Sequence, residues 1–502
     1  MKKIKFILPL IAFALFSCDN YLDVNTSPNN PQASQITPNL SLAAVQTASY
    51  SPLVRRMNEL GNVFMNNWGA NVNSFTGGYA EEFGITMSNN FYEDIWNSVY
   101  RSTYEYSNII NNPTADYDHH KAIAKIMKSF YFQYLVDLYG DIPYFEAHLG
   151  SANTNPTYDD DLLIYRDLIV QLDDAISLID NAPSNTVTVG AEDVMLAGDM
   201  NKWKKFANTL KLRILLRQAT KAETDGALQT YLDDQFAVLD QNFIDFDLTI
   251  NPGYSNASDV QQNPWMNLMV ELSLTSTGGF SYRTSYNFRR ASNYIAGKLN
   301  STPTDPRRNR LFTLVGGQVV GVQQGDASAP DGFAPAVISE LGPGVIISSA
   351  QDGYIMLAAE SYLLQAEAAE RGFISGDPQT LFNNGITASF AHLGATVGTY
   401  ITDVNLINGK GYAASADKIE AIMYQKSIAL CNTNGIEAWI EYTRTGYINN
   451  IPMPTPNNGP ANSPTGQKPL RLMYPTSELA SNSANVPAQT VNDAFTTAPF
   501  WR

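Results

Sequence analysis

The residues in this sequence that could do chemistry are few, and their spacing argues against catalysis. Four histidines occur, His119, His120, His148 and His392, and only the first two are neighbours. Adjacent residues of a helix point to different faces, so His119 and His120 cannot grip one metal ion from one helical face. Exposed positions at a helix start account for both. Asp159-Asp160-Asp161 offers carboxylates to a cation, but an acidic first turn is also what a helix dipole favours. Glu81-Glu82 has the acids of glycoside hydrolysis without a separation that sequence can give. No HExxH, GxSxG or phosphate-binding loop occurs, and no GxGxxG follows a strand. Nothing in this pattern argues for catalysis or for a cofactor, and it leaves the presence of a structural cation open.

The sequence does hold material for binding. A neutral sugar is gripped by flat aromatic faces, with amide, carboxylate and guanidinium groups on its hydroxyls. A peptide asks for backbone-like donors and acceptors beside apolar pockets. One stretch supplies Trp68, Asn71, Asn73, Phe75 and Tyr79; a second supplies Asn263, Trp265, Tyr282, Arg283, Tyr286 and Arg289. Trp68 and Trp265 are the foremost candidates for ligand contact. Trp96, Trp203 and Trp439 sit inside helical patterns and are assigned to structure. Cys431, among apolar neighbours, reads as a buried small hydrophobe.

Both stretches need a scaffold, and the periodicity supplies one. Ile123, Ile126, Met127, Phe130, Tyr134 and Leu138 mark an amphipathic helix over 119–140. Similar patterns predict helices over 38–70, 91–110, 159–180, 203–219, 378–393 and 417–430. Residues 354–373, YIMLAAESYLLQAEAAERGF, hold no Gly before Gly372 and read as a helix packed on more than one side, over 354–371. Residues 71–84 read as an exposed loop. From about 243 to 353 Gly, Asn, Pro, Ser and Thr interrupt the helical period. Phe312–Val315 and Val319–Val322 are candidate strands there, around a Gly316-Gly317 turn. Long irregular segments of this kind usually carry function. No 34-residue repeat is visible, so paired helices would be a structural repeat only.

The 502 residues suffice for a large core. Only 16% are charged and 11% are aromatic, which fits a folded, Tyr-rich protein. A formal net charge of -16 repels phosphate backbones and excludes nucleic acid as a partner. Lys2, Lys3 and Lys5 precede the apolar run 6–16, then Ser17-Cys18. This is an export signal, too short to span a bilayer as a mature helix. Leu15-Phe16-Ser17-Cys18 resembles a bacterial lipobox, which predicts a signal peptide over 1–17 and a lipid on Cys18. Residues 18–35 then form a polar tether, and 36–502 one domain.

Several motifs share one resemblance. They are CDNYLDVNTSPNNP after the signal, LYGDIPYFEA at 138–147, Asp305-Pro306-Arg307, AESYLLQAEAAERG at 359–372, GIEAWIEYTRTG at 435–446 and RLMYPTSE at 471–478. In this order they resemble the SusD/RagB family of outer-membrane nutrient-binding lipoproteins, and most nearly its second SusD-like subgroup. Thr443 stands where that family usually has Arg. The resemblance implies a mostly α fold, a right-handed scaffold of TPR-like helix pairs with long irregular loops and a small β-hairpin. It also implies a non-catalytic, surface-exposed lipoprotein that binds an oligosaccharide or oligopeptide in those loops. Such a protein hands its ligand to a SusC-like TonB-dependent transporter barrel. Two other readings stay open, a lipid-anchored surface hydrolase and an adhesive protein built on helical repeats.

Overall fold

The computed structural model describes residues 36–70, 79–114, 116–274, 279–326, 337–456 and 459–502. Asn71, Asn73, Phe75 and Cys18 lie outside them. The chain is mostly helical, with three two-stranded antiparallel sheets among the described residues. The longer helices are α1 (Pro38–Pro52), α2 (Asn58–Phe64), α3 (Glu93–Ile110), α4 (Asp118–Tyr139), α5 (Asp161–Asp180), α6 (Met200–Arg217) and α7 (Gly226–Val238). They continue with α8 (Pro264–Met269), α9 (Asn293–Asn300), α10 (Ala358–Glu370), α11 (Pro378–Leu393), α12 (Lys418–Ala429) and α13 (Gly435–Thr445). The strands are β1 (Trp68–Gly69), β2 (Leu248–Ile250), β3 (Val270–Leu274), β4 (Phe280–Tyr282), β5 (Arg290–Ala291) and β6 (Gly353–Met356). β1 pairs with β5, β2 with β6, and β3 with β4.

Helices pack on their neighbours in sequence, α3 on α4, α4 on α5, α5 on α6 and α10 on α11. α10 also packs on α6 and α12, which joins the two halves of the chain. Many of these helices start on an aspartate. Asp160, Asp199, Asp225, Asp377 and Asp417 each accept a first-turn N–H. Part of the acidic excess is therefore spent on helix caps. The Asp159-Asp160-Asp161 run serves backbone amides throughout: Asp159 takes those of Tyr144 and Phe145, Asp160 that of Leu163, and Asp161 that of Phe500.

Some expectations are corrected. The helix expected over 354–371 begins at Ala358, because Gly353–Met356 is strand β6. Leu248 and Ile250 of β2 pair with this segment, and Asp247 accepts the Ala358 N–H at the turn into the helix. His120 is buried rather than exposed, with Nε2 3.1 Å from Glu192. Ala80–Gly84, expected in a loop, is a short helix. Of the candidate strands around Gly316-Gly317, only the bridges Val315 to Gln318, Phe312 to Leu341 and Val322 to Ser292 form. Both glycines take positive φ at the turn, as a tight hairpin requires.

The interior explains the family-like motifs. Arg213 and Arg217 of α6, Lys426 of α12 and Arg444 of α13 are buried with Asp137, Glu360, Glu367, Glu437 and Glu441. Arg444 forks onto Glu367 at 2.7 and 2.8 Å, and Arg217 Nη2 lies 2.8 Å from both oxygens of Glu437. The acids of residues 359–372 and 435–446 are thus the struts that tie α10, α13 and α6. Burial pushes the Glu441 carboxyl up, but Arg444, Lys426 and Arg217 outweigh it and hold it well below the usual range. Asp305 and Arg307 form a buried pair at 2.7 Å.

α2 and α13 cross glycine on glycine. A Cβ at Gly61 would lie 2.0 Å from the Gly435 carbonyl carbon, and one at Gly435 would lie 2.4 Å from the Asn62 nitrogen. The approach is held by Asn58, whose Oδ1 accepts the Gly435 N–H at 2.9 Å. Its amide donates to the Asn432 carbonyl at 2.9 Å.

Candidate ligand-binding site

The two candidate stretches of the sequence meet through β1 and β5. Trp68 pairs with Ala291 and Gly69 with Arg290, so the chain entering 71–78 is fixed to the segment that carries Tyr282, Tyr286 and Arg289. The chain returns at Tyr79, whose hydroxyl donates to Glu59 at 2.8 Å. Glu59 also pairs with Arg289. One buried carboxylate therefore ties the return of the first stretch to the second.

Trp68 and Trp265 are brought together, but inside. Their ring centroids are 6.1 Å apart and stacked, and they are 0% and 3% exposed. Trp68 Nε1 donates to Asn432 Oδ1 at 2.7 Å, and Trp265 Nε1 to the Val345 carbonyl at 3.3 Å. Arg289 sits over the Trp68 ring at 5.6 Å. Asn263 is spent as the cap of α8: its Oδ1 accepts the Trp265 and Met266 N–H groups and its amide donates to Gln351. Arg283 binds the Asn267 and Val270 carbonyls and Asp259, which pins α8 to β4. In this arrangement six of the candidates, Trp68, Tyr79, Asn263, Trp265, Tyr286 and Arg289, are buried.

Tyr282 is different. It is 42% exposed and lies flat on Tyr286, with centroids 4.0 Å apart and planes 12° from parallel. Beneath it Tyr286 is buried, donates to the Leu341 carbonyl at 3.3 Å, and has the Arg290 guanidinium 5.1 Å from its centroid. Arg290 in turn pairs with Glu340 at 2.9 Å. Burial and the nearby Glu340 carboxylate push the Tyr286 hydroxyl up, so it stays a neutral donor. The outcome is a stacked aromatic face with the half-buried Glu340 carboxylate close enough to act on the Tyr282 hydroxyl.

A groove of about 770 Å³ opens on the other side of Glu59. Ala44, Val45, Ala48, Pro52 and Leu268 form its apolar wall. Arg55, Arg56, Asp94, Arg101 and Glu105 supply charge around it. Arg55 and Arg56 lie on a π-helical turn over Leu53–Met57 that follows Pro52, which lacks an N–H. Leu268 of the groove accepts the Ser285 hydroxyl at 2.7 Å, so groove and platform share a wall. These charged residues were not singled out by sequence. The signal was there: Arg55-Arg56 with Glu59 one turn later, and Arg101 with Glu105, are charge clusters in a charge-poor chain.

The arrangement offers stacking and hydrogen bonding. Comparison with known proteins agrees. The model of the second SusD-like family, described as starch-binding and associating with the outer membrane, matches residues 28–475. No relative is found among curated proteins. A chitin-binding SusD homologue from Flavobacterium johnsoniae is 23% identical with a TM-score of 0.69, over 92% of this chain and 97% of its own. A SusD-like protein from Bacteroides thetaiotaomicron is 23% identical with a TM-score of 0.72, over 92% and 98%. A Bacteroidetes SusD-like structure is 19% identical with a TM-score of 0.71, over 93% and 99%. At these identities the likeness is one of fold.

Proposed function

The chain belongs to the second SusD-like family of non-catalytic, outer-membrane-associated binding proteins, and from that premise we propose that it captures an oligosaccharide on the Tyr282–Tyr286 platform. The exposed face of Tyr282 carries this reading. It is a flat, stacked ring on which the C–H face of a sugar can lie. The Glu340 carboxylate beside Tyr282 is the acceptor we assign to a sugar hydroxyl. Asn71, Asn73 and Phe75 lie in sequence between Trp68 and Tyr79, and we assign them to the same site. Trp68, Trp265, Tyr79 and Arg289 act beneath as its floor. The chitin-binding homologue of the same fold makes chitin-derived oligosaccharides the first ligands to try.

The wider reading follows from the resemblance of the N-terminus and the motifs. Residues 1–17 direct export, a lipid on Cys18 anchors the chain at the cell surface, and 18–35 tether one domain over 36–502. The captured oligomer passes to a SusC-like TonB-dependent barrel. An oligopeptide in the same role would use the mixed apolar and charged groove of Arg55, Arg56, Arg101 and Glu105. Calorimetric titration against matched panels of starch- and chitin-derived oligosaccharides and of oligopeptides tests this. Saturable binding to a glycan is the expected result. Binding to peptides alone moves the ligand to the groove, and hydrolysis of any panel member contradicts a binding role.

A further inference from the structure

The C-terminal end of α13, residues 446–453 and 466–470 and Arg502 enclose a separate cavity of about 300 Å³. No platform or groove residue lines it. Ile451, Met453 and Leu470 form an apolar wall, and Tyr442, Gln467, Lys468 and Arg502 form a polar one. Lys468 is 3% exposed, and its ammonium group has no hydrogen-bond partner. Among the described residues no carboxylate pairs with it, and burial alone acts on it, pushing it down to about 7. A buried cation without a partner is costly, and an apolar residue of the same size would pack there at no such cost. Arg502 adds a second cation at the exposed mouth, next to the Tyr442 hydroxyl. In a chain of net charge -16, two basic side chains converge on one cavity whose lining holds no acidic side chain.

We propose that this cavity is a second ligand site, which takes a small organic carboxylate. The carboxylate lies between Lys468 Nζ and the Arg502 guanidinium, with the Tyr442 hydroxyl and the Gln467 amide as neutral donors. The carbon skeleton lies on Ile451, Met453 and Leu470. The cavity is larger than a bare ion needs, and its apolar wall favours carbon over a phosphate that is polar on every side. The inference uses none of the residues assigned to the glycan site.

Calorimetric titration of the full chain with acetate, propionate and inorganic phosphate tests it. Propionate is expected to bind about fourfold tighter than acetate, because it buries one more methylene, and phosphate to bind weakest. Lys468→Met, close in size and uncharged, is expected to weaken propionate by at least about tenfold. Arg502→Gln, at the exposed mouth and harmless to packing, is expected to weaken it by about threefold. Propionate is also expected to raise the unfolding temperature of the wild type and not that of Lys468→Met. Three results would each overturn the proposal: a folded wild type that takes no carboxylate, phosphate binding tighter than propionate, or Lys468→Met binding propionate like the wild type.

Discussion

Gly61→Ala tests whether the α2–α13 crossing holds the site's floor. The new methyl group would lie 2.0 Å from the Gly435 carbonyl carbon and 2.1 Å from the Ile436 nitrogen. Ordinary contact is about 3.5–4 Å, so the two helices must separate by more than an ångström. The obstructing atoms are backbone at the start of α13 and cannot swing away as a side-chain tip would. Overpacking of this kind costs about 3 kcal/mol or more, against about 1 kcal/mol gained from replacing glycine within a helix. The net loss is about 2 kcal/mol or more. Separation also lengthens the bonds from Asn58 to Gly435 and Asn432, and Asn432 holds the Trp68 indole. Gly297→Ala is the control: it lies exposed in α9, and a Cβ there would meet nothing within 4 Å. That variant is expected to gain about 0.5–1 kcal/mol. Chemical denaturation followed by tryptophan fluorescence reads both, since Trp439 lies on α13 and Trp68 is bonded to Asn432 beside the crossing. Gly61→Ala as stable as the wild type would refute the reasoning.

Glu441→Gln removes the carboxylate shared by Arg217, Lys426 and Arg444. It is expected to destabilise by about 3–5 kcal/mol at neutral pH, because buried cations lose their partner, read as the denaturation midpoint. Because the folded-state pKa of Glu441 is depressed, its contribution is present above about pH 4.5 and lost as the pH falls toward the folded value. The wild type is therefore expected to lose stability on acidification through that range, and Glu441→Gln to lose less; equal slopes would contradict this. Trp68→Phe strands Asn432 Oδ1 without its indole donor, an expected cost of about 1–3 kcal/mol, with a smaller effect on ligand affinity than any change at Tyr282. Thermal unfolding beside titration separates the two effects.

What was legible in the sequence depended on period and punctuation. Ile123 to Leu138 repeat strongly enough to place α4 within a residue or two at each end. Asp377-Pro378 marks the start of α11 by cap and proline together. α7 carries a legible signal too, Asp225 as cap and Leu228, Leu232 and Phe236 one face apart, although no apolar run draws attention to it. Gly353–Met356 became strand because a partner more than a hundred residues earlier, Leu248–Ile250, pairs with it, and no local window contains that information. The candidate site was half legible for the same reason. Residue type brought Trp68, Trp265, Tyr282 and Tyr286 together in one list, but only packing distinguishes the ring that faces outward from those beneath it. Glu59, which joins both stretches, looks like any helical glutamate until Tyr79 and Arg289 converge on it.

The account turns on Tyr282, and the most direct measurement is calorimetric titration of Tyr282→Ala and the wild type with one glycan that the wild type binds. Loss of the stacking face is expected to weaken binding by about tenfold, roughly 1.4 kcal/mol, while the lost stack on Tyr286 lowers unfolding stability by only about 1 kcal/mol and leaves the protein folded. A Tyr282→Ala protein that binds the glycan as tightly as the wild type would contradict the account and place the sugar elsewhere.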